Sequence, residues 1–211
     1  MLDASSPTLF CGVVAGEAWQ SSVTRKGDAL ETIPEALRET GVVALLRSRE
    51  LRSIRICVGP GSILGIRLTL MTVLGWRHAM PEHTPPLQTY RSLHAAAALM
   101  EQEFTGETRF CVVSEFRRGM WNRLDHTHGE SFGALQLATT EELEALSIPL
   151  RVIAQRNRAG TPPRNAKLAE YDLGHNPAWM HRIPWETPDN TPEVHLALPQ
   201  EYRKWTPDRH R

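Results

Sequence analysis

Neither sign of charge is in excess in this chain: Lys+Arg and Asp+Glu number 24 each over 211 residues. That balance supplies no global field to steer the protein onto nucleic acid or a membrane surface, and leaves only local patches for such contacts. Long apolar runs are missing as well. The longest, Ile63 to Trp76, contains Arg67 and falls short of the ~20 residues a membrane-spanning helix needs. Cysteine is scarce and odd in number. Cys11, Cys57 and Cys111 lie far apart, each in an apolar strand-like run, which suits buried reduced thiols better than a disulfide frame. Met1-Leu2-Asp3 has no basic start, apolar stretch or small-residue cleavage site of a secretory leader. These absences lead to the expectation of a cytoplasmic protein that makes no membrane contact.

What is present is a hydrophobic fraction of 41%, enough for a substantial core in one domain or two small lobes. Thr8 to Val14 reads as a strand, with Glu17 to Thr24 as its hairpin partner across an Ala15-Gly16 turn. Thr32-Ile33-Pro34-Glu35 has the spacing of a capping box, with Pro34 in the first turn. The helix it opens carries Ile33, Leu37, Leu45 and Leu46, with Gly41 as a weak point. Ser53 to Val58 is a short strand that ends in Gly59-Pro60-Gly61-Ser62, and a second helix runs from about Leu64 to His78. Beyond the proline-rich break at residues 81 to 86, a helix is expected over Ser92 to Glu103. Strands follow at Arg109 to Ser114 and Met120 to Leu124, a short helix at Thr140, and a strand at Leu150 to Ala154. The rest is rich in Pro, Arg and Trp, and is expected to be irregular with one or two helical turns. Mixed sheets flanked by helices, in an α/β chain of two related lobes, fit this order. The boundary is placed between a first lobe at residues 1–103 and a smaller second lobe with an extended tail at 104–211.

A strand feeding a glycine-rich turn that opens a helix is a candidate phosphate cradle, because the glycines allow close approach and the helix N–H groups face an anion. Gly59 to Ser62 lacks the Gly-Lys-Ser/Thr ending of a Walker loop, so a tight turn for strand–helix packing is the competing reading. The helix behind it is more informative. Leu64, Ile66, Leu68, Leu70, Met71, Val73, Leu74 and Trp76 cover more than one face, whereas a surface helix normally shows one apolar stripe. A second burial partner is needed, either the core on both sides or another protein.

Gly59-Pro60-Gly61-Ser62-Ile63-Leu64-Gly65-Ile66-Arg67 resembles the Gly-Pro-Gly-Ser-Phe-Thr-Gly-Leu-Arg signature of the TsaB family. Leu2-Asp3-Ala4-Ser5-Ser6 is similar to that family's opening Leu-Asp-Thr-Ser, and Glu115-Phe116-Arg117-Arg118-Gly119 to its Asp-Ala-Arg-Arg-Gly. His195 to Trp205 is similar to its closing segment. The resemblance implies a two-lobed actin/Hsp70/sugar-kinase-like fold and a non-catalytic subunit of the machinery that makes threonylcarbamoyladenosine at position 37 of tRNA. It implies TsaD as heterodimer partner and TsaE within the complex. A homodimer is implied when TsaD is absent, and tRNA is met only indirectly. No cofactor is implied for the chain itself; ATP or ADP would sit at the complex interface or in the partners. The partner face would comprise Leu37, Leu45, Arg67, Leu68, Met71 and Thr72. Asp3, Gly59, Gly61 and Ser62 would be a degenerate cofactor-binding set. The sequence departs from the family in five places: the first strand is cut short ahead of Asp3, unless the true start lies upstream of Met1; Leu64 stands for a threonine, Glu115 for an aspartate and Met120 for an acid; and the tail is shorter than the family's.

The same residues bear on rival chemistries. An ATP-dependent small-molecule kinase of this superfold would use Asp3 for Mg²⁺ and the Gly59 to Ser62 turn for phosphates, but the second-lobe acid is lacking. A glycoprotease-like peptidase would need Ser62 activated by a histidine, and no nucleophile elbow is present. His126-Thr127-His128 has i, i+2 spacing, unlike helical zinc motifs, and reads as a polar loop with no metal. Arg151, Arg156, Arg158, Arg164, Lys167, Arg203, Lys204, Arg209 and Arg211 are candidate phosphate contacts or simply solvated charges. Trp179, Trp185 and Trp205 are candidate stacking groups for bases or, the preferred reading, anchors that hold the tail on the lobes.

Overall fold

In the computed structural model, residues 1–83, 85–103, 108–153 and 161–194 are described. Two five-stranded mixed sheets share one topology. In the first, β1 (Leu2–Asp3) pairs antiparallel with β2 (Thr8–Ala15), which pairs antiparallel with β3 (Ala18–Lys26). On its other side β1 runs parallel to β4 (Ile54–Cys57), and β4 parallel to β5 (Leu87–Tyr90). The second sheet repeats the plan. Its strands β6 (Arg109–Arg117), β7 (Met120–Thr127) and β8 (Gln136–Thr139) form the antiparallel meander. Its β9 (Leu150–Ile153) and β10 (Ala166–Ala169) add in parallel beyond β6.

The helices enter where each sheet needs cover. Residues α1 (Ala29–Glu39) and α2 (Val42–Arg47) connect β3 to β4, and α3 (Ile63–Ala79) connects β4 to β5. Their inner side chains, among them Ile33, Ala36, Val42, Leu70 and Val73, bury one face of the first sheet. Between the sheets runs α4 (Ser92–Glu103), whose Ala95 to Ala98 run is fully buried. Ala95, Ala98 and Leu99 pack toward the first sheet, and Leu93, Ala96, Ala97 and Met100 toward the second. Small side chains on both faces let one helix serve two layers at close range. A short α5 (Thr140–Glu144) follows β8 with a complete capping box from Thr139 and Glu142.

Four sequence expectations are corrected. The first helix is capped by Asp28, not by Thr32: the Asp28 carboxylate accepts the Leu30 N–H at 2.8 Å, and Thr32 sits buried one turn inside. Pro34 therefore lies within the helix, on its exposed side. Gly41, at φ 72°, ends one helix and begins another, so Leu37 and Leu45 belong to separate elements. His126 is not in a polar loop but at a buried position of β7. The tail adds a strand, β10, before its 3₁₀ turn at Pro177–His181. Ala154, the segment His195 to Trp205, and Arg156, Arg158, Arg209 and Arg211 lie outside the described residues.

All three cysteines are free and buried. Burial pushes each thiol up, Cys111 to about 12 with help from Asp125, which leaves them as packing groups at neutral pH. No helix among the described residues is long and apolar enough to cross a membrane.

Candidate functional site

Strand β4 delivers the chain into Gly59-Pro60-Gly61-Ser62, with a cis bond before Pro60. The turn is clamped from two sides. Ser62 N–H donates to Ser5 O at 2.8 Å, and Ser92 Oγ at the start of α4 donates to Pro60 O at 2.6 Å. A Cβ on Gly61 would come within 2.3 Å of Ser5 O, and one on Gly65 within 2.1 Å of Ala4 O. These two glycines are thus needed for close packing of the turn and of α3 against the backbone that links β1 to β2. Ser62 Oγ caps α3 by accepting the Gly65 N–H at 3.2 Å. Ser62 Oγ is thus engaged as a helix cap, and among the described residues no histidine bonds it as a serine nucleophile's base would.

Asp3 lies at the end of β1, almost wholly buried. Its Oδ1 accepts the Ser5 N–H at 2.6 Å. Its Oδ2 accepts the hydroxyl of Tyr171 at 2.9 Å and, through a short bond, that of Tyr90. Burial, then the Asp3 charge, push both tyrosines well above their ordinary range, so both hydroxyls stay protonated and donate. A carboxylate occupied in this way has little capacity left to hold a magnesium ion, and Asp3 is absent from the lining of the cleft beside the turn. Tyr90 and Tyr171, which sequence reasoning missed, stand 87 and 168 residues away from it. No local spacing could have announced them.

The turn's own cleft, about 700 Å³, lies between the first turns of α1 and α3 and is lined by Ala29, Thr32, Gly61, Ser62 and Leu64 among others. Outward from it, α3 carries an apolar stripe. Leu64 is 62% exposed and Met71 57%, with half-buried Leu68 between them at helical spacing. Arg67 is exposed in the same stripe, and Thr72 beside it is half-buried, its hydroxyl donating to Leu68 O at 2.8 Å. On α1, Leu30 is 67% exposed. The inner face of α3, with Ile66, Leu70 and Val73, is spent on the core. Of the partner-face residues expected from the sequence, Arg67, Leu68, Met71 and Thr72 are brought together here. Leu37 is not: it is 7% exposed and packed in the first core, and half-buried Leu45 packs against that same core.

No family model matches the chain, and no curated protein does either. Solved structures do. YeaZ from Pseudomonas aeruginosa superposes with a TM-score of 0.61 at 15% identity, over 85% of this chain and 87% of that one. The chain has the YeaZ fold. A protein with similarity to peptidase YeaZ from Pseudomonas aeruginosa aligns with a TM-score of 0.52 at 16% identity, over 96% and 97% of the two chains. The fold is thereby the two-lobed actin-like arrangement expected from the sequence, with one five-stranded mixed sheet in each half.

A second buried polar cluster joins the halves. Glu101 on α4 accepts from His126 Nε2 at 2.8 Å, from the Gly129 N–H at 2.7 Å, and from Arg182 at 3.0 and 3.3 Å. Burial opposes the charge, but these donors outweigh it and hold the carboxyl at about 2. Phe132 stacks between His94 and His126 at centroid distances of 5.3 and 4.4 Å. Among the described residues, no group of three or more His, Cys, Asp or Glu could hold a metal ion. Of the candidate phosphate contacts, Arg151 is buried in β9, while Arg164 is exposed and 4.0 Å from Glu144.

Proposed function

We propose that this chain is a TsaB-type scaffold subunit that binds and activates TsaD for threonylcarbamoyl transfer to adenosine 37 of tRNA, and is not itself a catalyst. The observation that carries the reading is the apolar stripe Leu64, Leu68 and Met71 on α3, presented on the fold of YeaZ, the Pseudomonas TsaB. Large side chains aligned on one outer helix face and left in water are the usual mark of an association surface. The occupation of Asp3 by Tyr90, Tyr171 and Ser5 weighs against the kinase reading, since it withdraws the carboxylate that reading needs for magnesium. Nucleotide, in this account, belongs to TsaD, TsaE or their junctions with this chain. Without TsaD, a second copy would cover the same stripe, because a two-fold interface is self-complementary. The setting is the cytoplasm, where tRNA is modified.

Co-expression with the host's TsaD, followed by affinity capture, tests the proposal. The pair is expected to co-purify. Met71→Asp is expected to weaken association by at least about tenfold, because burying an unpaired carboxylate is costly. Its folding stability should change little, since Met71 is exposed in the free chain. Unchanged affinity for TsaD, or nucleotide turnover by the isolated chain, would count against the reading.

A further inference from the structure

The chain is neutral as a whole, but its charge is unevenly spread. Residues 41 to 100 hold seven arginines against two carboxylates, Glu50 and Glu82, while residues 101 to 150 hold four arginines against nine carboxylates. The fold gathers much of the first excess at one end of the first sheet. Strands β4 and β5 run parallel, so the link from α2 into β4 and the link from α3 into β5 lie at the same end, where both helices finish. The two links are bonded to each other. The Ile54 N–H donates to Pro86 O at 2.9 Å, and Arg49 Nη2 donates to His83 Nε2 at 2.9 Å. Arg47, Arg49, Arg52, Arg77 and His78 are all exposed here.

No carboxylate neutralises these arginines. Among the described residues the ion pairs belong to Arg25, Arg123, Arg164, Arg182 and His126, all on other elements. Glu50 and Glu82 stand in the same two links and pair with none of the four. Carbonyls at the ends of α2 and α3 favour a basic residue in each last turn, which suits Arg47 and Arg77. Arg49 and Arg52 lie beyond the helix end. Arg49 takes the left-handed position that closes α2, at φ 62°, with its N–H on Leu46 O and the Glu50 N–H on Leu45 O. Glycine is usual at such a position, and Arg49 is the one non-glycine residue with positive φ among the described residues. A guanidinium can only donate, so the His83 imidazole accepts through Nε2. That contact positions Arg49 and leaves its charge uncancelled.

We propose that this end of the first sheet is an RNA contact, which takes the phosphate backbone of tRNA directly on Arg47, Arg49, Arg52 and Arg77. The resemblance implies only an indirect meeting with tRNA, so the contact goes beyond it; the choice of RNA among polyanions rests on the function proposed above. A planar guanidinium fork matches two phosphate oxygens at once. Four such groups, each displacing a condensed counterion, give a salt slope of about 3 in log affinity against log salt. The site is distinct from the apolar stripe on α3. Arg77 lies ~20 Å along that helix from Leu64, at a rise of about 1.5 Å per residue. A protein on the stripe and RNA at the sheet end can therefore be held together.

The test titrates a dye-labelled tRNA transcript with the full chain and reads fluorescence anisotropy at ~50 and ~200 mM salt. Binding in the range of about 1–100 μM is expected at the lower salt, falling steeply at the higher. The triple variant Arg47→Glu, Arg49→Glu, Arg77→Glu should bind at least about tenfold more weakly and lose about 2 to 3 from the salt slope. These side chains are exposed, so its thermal midpoint should stay near the parent's. Reversing Arg117 and Arg118, exposed in the second half, should leave binding as it was. An equal loss in that control would overturn the assignment to the sheet end. Poly-glutamate that competes as well as unlabelled tRNA at equal charge would overturn RNA in favour of an acidic protein surface. Capture of TsaD separates this inference from the reading it rests on. The triple variant should still capture TsaD, and Met71→Asp should still bind tRNA. No tRNA binding by the parent chain overturns the contact and leaves the TsaD reading standing. Failure to capture TsaD, with salt-dependent tRNA binding intact, overturns that reading and leaves the contact.

Discussion

Asp3 accepts three hydrogen bonds inside the protein, two of them from tyrosines brought from other parts of the chain. Removing it leaves buried hydroxyls without an acceptor, a cost of roughly 2–4 kcal/mol. Asp3→Ala is expected to lose that much in urea unfolding, while Tyr171→Phe, which deletes only one donor, should lose about 1 kcal/mol. Glu101 gives a pH signature. Its carboxyl sits at about 2 in the folded chain against an ordinary 4.5, so the unfolded chain takes up a proton first on acidification. Its contribution is complete above pH 4.5 and drains away as pH falls toward 2, amounting to about 3 kcal/mol over the window. Urea unfolding at pH 5 and pH 3 should show this slope in the parent, and a flatter one in Glu101→Gln. At this scale the sequence told little. Asp3 stood out only as a member of the degenerate cofactor-binding set that the resemblance implies, or as a magnesium ligand in the rival kinase reading, because its true partners are too remote in sequence for any spacing to reveal. His126 was legible in principle, since Leu124 and His126 are both inward positions of a period-two strand, but its neighbours Asp125 and His128 made the stretch read as a polar loop.

Elements were read more successfully where a periodic pattern met a strong stop. Helix α3 differs from its expected span by one residue at each end, because Ser62 caps it and proline follows it at position 81. The start of α1 was misplaced by four residues, its cap being Asp28 where Thr32 was expected. Thr32 and Glu35 have the spacing of a capping box, yet the Asp28 side chain reaches the Leu30 N–H first, and Pro34 is accommodated within the helix. The glycine turn resolves in favour of packing. Gly65 has an ordinary helical backbone, so its lack of a side chain answers only to the Ala4 carbonyl it abuts. Gly65→Ala is expected to push α3 off the β1–β2 link and cost about 1–3 kcal/mol, the usual penalty of overpacking. Gly75→Ala, with open space around its Cβ position, should be neutral or slightly stabilising through helix propensity. Denaturant midpoints of the two variants measure the contrast, and equal midpoints would remove close packing as the reason for Gly65.

At the scale of the whole molecule, one sheet plan occurs twice and the chain's last described segment ties the copies together. The repeat was only partly legible. Its strand–helix order showed in the sequence, but β10 was hidden because Ala166–Ala169 has neither apolar alternation nor β-branched residues. After β10 in the second sheet, the segment turns back to the first. Leu173, Trp179, Met180 and Ile183 pack with Phe10, Tyr90 and Leu99, and Glu186 bridges to Thr89 on β5. Trp185 sits edge-on to Tyr90 at 5.4 Å and under Arg55 at 4.5 Å. Arg182 in the same segment reaches Glu101 on α4, the helix both sheets share. Opening either half therefore breaks contacts that belong to the other, which makes the two unfold together. Trp179 is the centre of this strap, with no exposed surface. Trp179→Ala is expected to cost about 3–5 kcal/mol. Calorimetry of the parent should give a single transition with calorimetric and van't Hoff enthalpies in agreement. The variant should either shift that transition down as a whole or split it in two. A first-sheet transition left at its parental temperature in the variant would show that the strap does not couple the halves.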